Sequence, residues 1–311
     1  MGVWGVGLYS NDMAADMRAV VKSVVRLPVD EDRIVQILTD CERRAATDPA
    51  DESHTTFWLV LADQFEKQGV AHAPTRDKAI AIIDRSDDLA MMEKLGMKQA
   101  DLRKRAAKLA ELRARLAAAP RASKPRATMK APEPYVLEVG VLYACPVKGS
   151  NCINPYRGKK NPDGSPWIAD GWRQFVILNR GRAFDYLAWY HPLVARKPVQ
   201  EKPQLSGASA DLWWQLDTPK TCPPRHFERM EIEAIGPLPI GMDRARARFA
   251  TKRRGYVPLG ADGRSWAVNE VSIADSMHPS SHDWDRWYGP RGLLPEEGPT
   301  MMRSLGEIVF G

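Results

Sequence analysis

The chain has 311 residues, 44% of them hydrophobic, and four cysteines. This length predicts two domains, each large enough to bury a core of its own. No stretch approaches the roughly 20 consecutive apolar residues of a membrane span, and the glycines and polar residues of the opening segment are unlike a secretory signal. We therefore expect a soluble, cytoplasmic protein without a membrane partner.

The positive charge is concentrated in one segment. The formal net charge is only +6, but eleven basic and two acidic residues lie between Lys98 and Lys130. A local basic surface is typical of proteins that bind an anionic partner. It is equally expected on the solvent-exposed side of an amphipathic helix, where charged side chains are hydrated.

The first third of the chain predicts short helices. Asn11 and Asp12 are suited to cap a helix that ends before Pro28, and Asp30 is suited to cap the next. Apolar residues recur at helical spacing in each segment. The predicted helices are a first one after Asn11-Asp12, a second after Asp30, and further ones at His54 to Gly69, Pro74 to Ile83 and Gln99 to Ala119. Together they indicate an α-helical domain over residues 1–119.

A linker and a change of pattern follow. Prolines at 120, 125, 132 and 134, mixed with basic residues, predict a semi-rigid linker over residues 120–134. Residues 135–311 alternate short β-like runs with turns rich in Gly, Pro and Asn. The predicted strands are Tyr135 to Val147, Trp172 to Asn179, Phe184 to Trp189, Met230 to Ile235, Trp266 to Ile273 and Glu307 to Phe310. The fold class is therefore α+β, with a helical bundle followed by a mostly antiparallel barrel or sandwich.

The opening residues carry a motif. Met1-Gly2-Val3-Trp4-Gly5-Val6-Gly7, followed by Asp12, Ala15 and Asp16, resembles an uncharacterised bacterial family whose members open M-G-x-W-G-x-G-x-x-x-x-D-x-A-x-D. A second shared stretch runs from Phe57 to Gln64. The resemblance covers residues 1–85 and implies a bacterial origin and a helical fold, but no activity. Physically, the glycines predict a tight N-terminal arm with Trp4 inserted into the bundle.

The second domain resembles small β modules of immunity proteins from bacterial toxin systems. The strand from Val139 to Pro146 carries this resemblance. The short G-D-G-x-Y-G hairpin of those modules is absent here, and a long insertion from Lys148 to Gly171 takes its place. The resemblance implies an immunity or defence-associated role.

We find no catalytic motif and expect neither catalytic residues nor a cofactor. His278-Pro-Ser-Ser-His282, with Asp283 and Asp285, is the one cluster of metal-ligand residue types, and Pro279 favours a solvated turn over a metal site. The cysteines are too sparse for a disulfide scaffold and predict thiols. Cys145 and Cys152 flank a turn that contains Gly149, so a redox pair across a hairpin is an alternative.

Tryptophan is concentrated in the second domain, which holds eight of the ten. Trp189 and Trp266 lie in predicted strands and should be core residues. The candidate partner-binding residues lie in polar loops, where large aromatic and arginine side chains are typical interface anchors: Trp167, Trp284, Trp287, Arg286 and Tyr288. The alternative is that these tryptophans pin long loops to the sheet.

The leading hypothesis is thus a non-catalytic binding protein that recognises a macromolecular partner, with a protein the expected partner. A nucleic-acid-binding protein that uses the basic 98–130 segment is the alternative. Its contact residues would be Arg103, Lys104, Arg105, Lys108, Arg253 and Arg254. An enzyme whose site assembles from distant positions is the second alternative.

Overall fold

The structure, a computed structural model, describes residues 5–118, 126–161, 163–195, 197–205, 213–216, 221–238 and 302–304. The contacts divide the chain into two compact units, Met1–Ala131 and Pro132–Gly311, and the division falls within the segment predicted as a linker. Helices occupy the first unit and an antiparallel half-barrel sheet occupies the second, which confirms the α+β prediction.

Seven helices are described in the first unit. They are α1 (Asp12–Val24), α2 (Glu31–Cys41), α3 (Arg43–Thr47), α4 (His54–Gln68), α5 (Ala73–Asp84), α6 (Asp87–Lys94) and α7 (Gln99–Ala117). Asn11 caps α1, because its side-chain oxygen accepts the Ala14 N–H at 2.7 Å, and Asp30 caps α2 in the same way through Arg33. Gly69, at φ +71°, ends α4 in the left-handed conformation that glycine adopts at least cost. These boundaries agree with the predicted ones, whereas α3 and α6 are too short for periodicity to reveal.

Helix α4 lies at the centre of the helical unit, with eleven of its residues buried. The predicted apolar stripe of α7 packs against α4 and α5. Leu59 and Ala62 of α4 meet Ala79 and Ile82 of α5 and the α7 stripe in one cluster, in which α7 contributes Leu109, Leu112 and Leu116. Burial of this stripe explains why α7 is helical despite its high charge.

The described part of the second unit contains seven strands, which form one sheet, and one short helix. They are β1 (Val141–Lys148), β2 (Asn151–Cys152), β3 (Gly171–Ala183), β4 (Leu187–Ala195), β5 (Trp213–Leu216), α8 (Pro224–Arg229), β6 (Glu233–Pro237) and β7 (Met302–Ser304). The order is β2-β1-β3-β4-β5-β7, with β6 also paired to β1, and every strand pairing is antiparallel. The core beneath it includes Tyr143, Ile177 and Tyr190.

Three predicted strand starts are wrong for local backbone reasons. The strand predicted from Met230 begins at Glu233, because Met230 caps the end of α8 and Glu231 adopts φ +51°. The strand predicted from Tyr135 begins at Val141, because Gly140 adopts φ +77° and interrupts the extended chain. The strand predicted from Phe184 begins at Leu187, because Phe184 and Asp185 have φ values of +50° and +62° and form the turn between β3 and β4. The strands predicted at Trp266 to Ile273 and Glu307 to Phe310 lie outside the described residues.

Trp189 is a core residue, as predicted. It is 7% exposed and lies opposite Gly181 in the β3–β4 register. A Cβ atom at residue 181 would come within 2.6 Å of the indole ring, so only glycine fits beneath Trp189. Trp266 lies outside the described residues.

The described part of the predicted linker is held at both ends. In the first unit, the Met129 N–H donates to the Arg26 carbonyl at 2.7 Å. In the second, the Glu133 N–H donates to the Tyr186 carbonyl at 2.9 Å. The Tyr135 ring lies within 4.4 Å of both the Arg180 and the Arg182 guanidinium, which fixes the chain before the sheet.

Candidate functional site

Helix α7 presents its basic residues largely as ion pairs. Acids from α7 itself or from neighbouring helices face all but one of the six cations between Arg103 and Arg115. The pairs are Lys104 with Asp101, Arg105 with Asp88, Lys108 with Glu111, Arg113 with Asp84, and Arg115 with Asp63 and Glu66. The excess charge that the local sequence predicts is therefore partly balanced in space by residues distant along the chain.

Arg105 differs from the other predicted nucleic-acid contacts because it is buried. Its side chain is 2% exposed, and two of its nitrogens donate to the carboxylate of Asp88 at 2.6 and 3.0 Å. Its third nitrogen donates to the Gly7 carbonyl at 3.1 Å. Arg105 is therefore a core residue that anchors the N-terminal arm and not a surface contact. Arg103, Lys104 and Lys108 are exposed, as predicted, whereas Arg253 and Arg254 lie outside the described residues.

A second polar network ties the arm to α4. The hydroxyl of Tyr9 donates to the buried carboxylate of Asp63, which also accepts from Lys67 at 2.6 Å and from Arg115 at 2.5 Å. Burial alone would raise the pKa of Asp63, but the hydrogen bonds from Lys67, Tyr9 and Arg115 outweigh it and hold the pKa below its ordinary value. Burial and the Asp63 carboxylate raise the pKa of Tyr9. The described part of the arm, residues 5–11, is thus held against the helices by Gly7 and Tyr9, while Gly2 and Trp4 lie outside the described residues.

Part of the insertion between β2 and β3 forms a hydrogen-bonded hairpin, which we call the display hairpin (residues 159–161 and 163–168). Lys160 bridges to Pro166, and the Trp167 N–H donates to the Lys159 carbonyl at 3.1 Å. Gly164 closes the turn at φ +84°, and its N–H donates to the Asn161 carbonyl at 2.9 Å.

The display hairpin ends in two large apolar residues. Trp167, the predicted anchor, is half-buried, and Ile168 beside it is 71% exposed. Sequence reasoning selected the tryptophan and missed the isoleucine, which carries no local signal of exposure. The other predicted partner-binding residues lie outside the described residues: Trp284, Arg286, Trp287 and Tyr288.

A basic cleft in the helical unit was not predicted. It has a volume of about 410 Å³ and is lined by Lys22, Val25, Arg26, Gln68, Arg126, Ala127, Thr128 and Met129. Arg126 donates through Nη2 to the Val29 carbonyl, while its Nη1 is buried without a hydrogen-bond partner. Burial and the nearby charges of Arg18 and Lys67 lower the pKa of Lys22. The cleft forms because the segment after residue 125 folds back on α1. Local sequence patterns do not reveal contacts between segments so far apart in the chain.

Among the residues that the structure describes, no three His, Cys, Asp or Glu side chains are placed to hold a metal ion. His278 and His282 lie outside those residues. In the described parts of the chain, no helix combines the length and apolar character that crossing a bilayer requires.

Comparison of the chain with protein-family models, with curated proteins and with solved structures gives no match. The geometry of the chain itself therefore has to support any assignment of function.

Proposed function

We propose that the protein is a non-catalytic binding protein whose display hairpin contacts a protein partner, in keeping with an immunity or defence-associated role. The observation that carries the proposal is the pairing of a half-buried Trp167 with a 71% exposed Ile168 on a hydrogen-bonded hairpin. An ordered loop loses little entropy on binding, and a large aromatic beside an exposed aliphatic residue supplies apolar area to an interface.

The hairpin is held by its own polar contacts. The Asn161 side chain donates to the Ser165 hydroxyl at 2.8 Å and to the Pro166 carbonyl at 2.9 Å, and the Asp163 carboxylate accepts from Ser165. Lys159 forms an ion pair with Glu231 at its base. These contacts hold the backbone that presents Trp167 and Ile168 next to each other, so the hairpin offers preformed apolar area to a partner.

Site-specific photocrosslinking in the native host tests this proposal. A benzoylphenylalanine at residue 168 should give a discrete crosslinked band, and the same group at the exposed Glu138 should not. Once the partner is identified, Ile168→Ser should weaken binding by about 2 kcal/mol, roughly thirtyfold in Kd, without lowering the melting temperature.

The matched control is Leu95→Ser, which removes an exposed apolar side chain (41% exposed) from the helical unit. It should leave partner binding unchanged. Equal crosslinking from residues 168 and 138, or equal binding by wild type and Ile168→Ser, would refute the recognition role of the hairpin.

The second candidate function is recognition of an anionic group, and the basic cleft favours it. Among the described residues, three cations and no acid line the cleft, and the buried Arg126 Nη1 has no hydrogen-bond partner there. A phosphate or carboxylate oxygen would supply such a partner. Arg126 belongs to the basic 98–130 segment, so nucleic-acid binding remains the alternative function. Its proposed contact surface is then the cleft and not the exposed face of α7.

Fluorescence anisotropy with a labelled single-stranded oligonucleotide tests the second candidate. Binding should weaken as salt rises, and Arg126→Gln should weaken it further. Arg103→Gln, on the exposed face of α7, is the matched control and should have little effect. Equal losses in both variants would point to diffuse attraction by the segment, and absence of binding to wild type would remove this candidate.

A further inference from the structure

The second unit contains two thiols in direct contact. The sulfur atoms of Cys145 and Cys152 are 3.4 Å apart, and both residues are thiols. A disulfide requires the sulfurs to approach to about 2.05 Å, a movement within the reach of side-chain rotation when the two strands are already paired.

The β1–β2 hairpin sets this contact. Gly149 and Ser150, at φ +53° and +69°, form the two-residue turn, and Val147 pairs directly with Cys152. Side chains alternate along a strand, so Cys145 lies on the same face as Val147 and diagonally opposite Cys152. The turn and register that the sequence specifies therefore hold the two sulfurs together.

The two thiols differ in exposure and in charge environment. Cys145 is 1% exposed, and its hydrogen bond with Cys152 and its burial raise its pKa well above the ordinary value. Cys152 is half-buried. Burial disfavours a charged Cys145 sulfur, whereas Cys152 is more exposed and therefore more accessible to an oxidant.

Arg173 provides a cation beside this pair. It lies directly opposite Cys145 in the β1–β3 register, and its charge acts on the Cys145 thiol. Its Nη2 donates to the Ser150 carbonyl in the hairpin turn, while its Nε is buried without a hydrogen-bond partner. The guanidinium charge lowers the pKa of Cys145 and so opposes part of the rise that burial causes.

We propose that Cys145 and Cys152 form a reversible redox site that hydrogen peroxide oxidises. The Cys152 thiolate attacks one peroxide oxygen, the O–O bond breaks, and the products are a sulfenic acid on Cys152 and hydroxide. The Cys145 sulfur then attacks the sulfenic sulfur, and its proton leaves with the hydroxyl group as water. The two thiols lose two electrons, which reduce the peroxide, and a Cys145–Cys152 disulfide forms. This site is independent of the binding functions proposed above.

Peptide mapping of the folded full-length chain tests the proposal. The reduced protein is treated with hydrogen peroxide, alkylated with N-ethylmaleimide and digested with trypsin. Cleavage after Lys148 separates the two cysteines, so the disulfide would join peptides 131–148 and 149–157. We expect this linked pair to replace both alkylated peptides, dithiothreitol to restore them, and Cys41 and Cys222 to remain alkylated.

Two variants identify the order of attack. Cys145→Ala removes the second thiol, so oxidation should stop at a sulfenic acid on Cys152 that dimedone captures. Cys222→Ser is the matched control. Cys222 belongs to the same core, and burial raises its pKa to about 12, so its removal should leave the linked pair unchanged.

Three results would overturn the proposal. The first is oxidation of Cys41 or Cys222 in wild type while Cys145 and Cys152 remain alkylated. The second is a dimedone adduct on a residue other than Cys152 in the Cys145→Ala variant. The third is a linked peptide pair that appears only after the protein is unfolded in urea. The wild-type experiment requires no substitution, so it gives a result even where a variant fails to fold.

Discussion

The helical and sheet units differ in how they treat buried polar groups. In the helical unit, the buried carboxylates of Asp63 and Asp88 are met by cations from distant helices. In the described sheet unit, the buried hydroxyls of Tyr143 and Tyr190 accept backbone N–H groups at 2.7 Å. Its ion pairs, such as Lys159 with Glu231 and Lys202 with Glu233, are solvent-exposed. Among the described residues, ion pairs therefore contribute to the core of the first unit, whereas these two pairs of the second unit lie at its surface.

The largest expected effect comes from the buried ion pair of the helical unit. Arg105→Met leaves the Asp88 carboxylate buried without its cation, which should destabilise the unit by about 3 to 5 kcal/mol in urea unfolding. The double variant Arg105→Met/Asp88→Leu removes both charges and should be more stable than the single variant. A double variant that is equally unstable would show that packing, and not charge, causes the loss.

The pH dependence of unfolding tests how much the buried Asp63 carboxylate stabilises the helical unit. Asp63→Asn should cost about 1.5 to 3 kcal/mol at neutral pH, since it removes hydrogen bonds to a charged group. Because the folded state lowers the pKa of Asp63 below 3.8, its contribution is present above that value and is lost as the pH falls through the folded pKa. Urea midpoints of wild type and variant should therefore converge as the solution is acidified from pH 6 through 3.8 and then through the lower pKa of the folded state.

Asp163 is the control for this titration. Its pKa is also lowered, by hydrogen bonds from Ser165, but the carboxylate is exposed on the display hairpin. Asp163→Asn should therefore leave the pH dependence of unfolding close to that of wild type. If Asp163→Asn changed it as strongly as Asp63→Asn does, burial would not be what makes Asp63 important.

A smaller effect is expected from the neutral hydrogen bonds of the sheet unit. Tyr190→Phe removes the acceptor for the Val136 N–H and should cost about 1 kcal/mol, measured by thermal or urea unfolding. Its stability difference from wild type should not vary between pH 4 and 8, since neither partner ionises there. A pH-dependent difference would contradict the contrast between the units.

The smallest effect is expected on the surface of α7. Lys108 and Glu111 form an exposed pair with Nζ–O distances of 3.1 and 3.2 Å. Lys108→Gln should change the free energy of unfolding by less than about 0.5 kcal/mol, because water screens such pairs. A loss comparable with that of Arg105→Met would mean that the α7 ion pairs act as one network.

The sequence predicts the helical unit better than the sheet unit because helix signals are local. The caps at Asn11 and Asp30 and the stop at Gly69 depend on neighbouring residues only. The start of β1 depends on the backbone of Gly140, and alternation of side chains does not reveal a left-handed glycine.

The candidate sites were predicted unevenly for the same reason. The contact of Cys145 with Cys152 follows from one short hairpin, so spacing alone suggested it. The burial of Arg105 depends on Asp88, Gly7 and the packing of three helices, and the basic cleft depends on the return of Arg126 to α1. Long-range contacts of this kind leave no periodic trace in a single sequence.

The bond from Arg105 to the Gly7 carbonyl has a consequence for synthesis of the chain. The arm, α6 and α7 meet at Arg105, so the chain before α7 lacks the cation that pairs with Asp88. Because a buried carboxylate without its cation is costly, we expect this part of the core to close only after α7 has been synthesised.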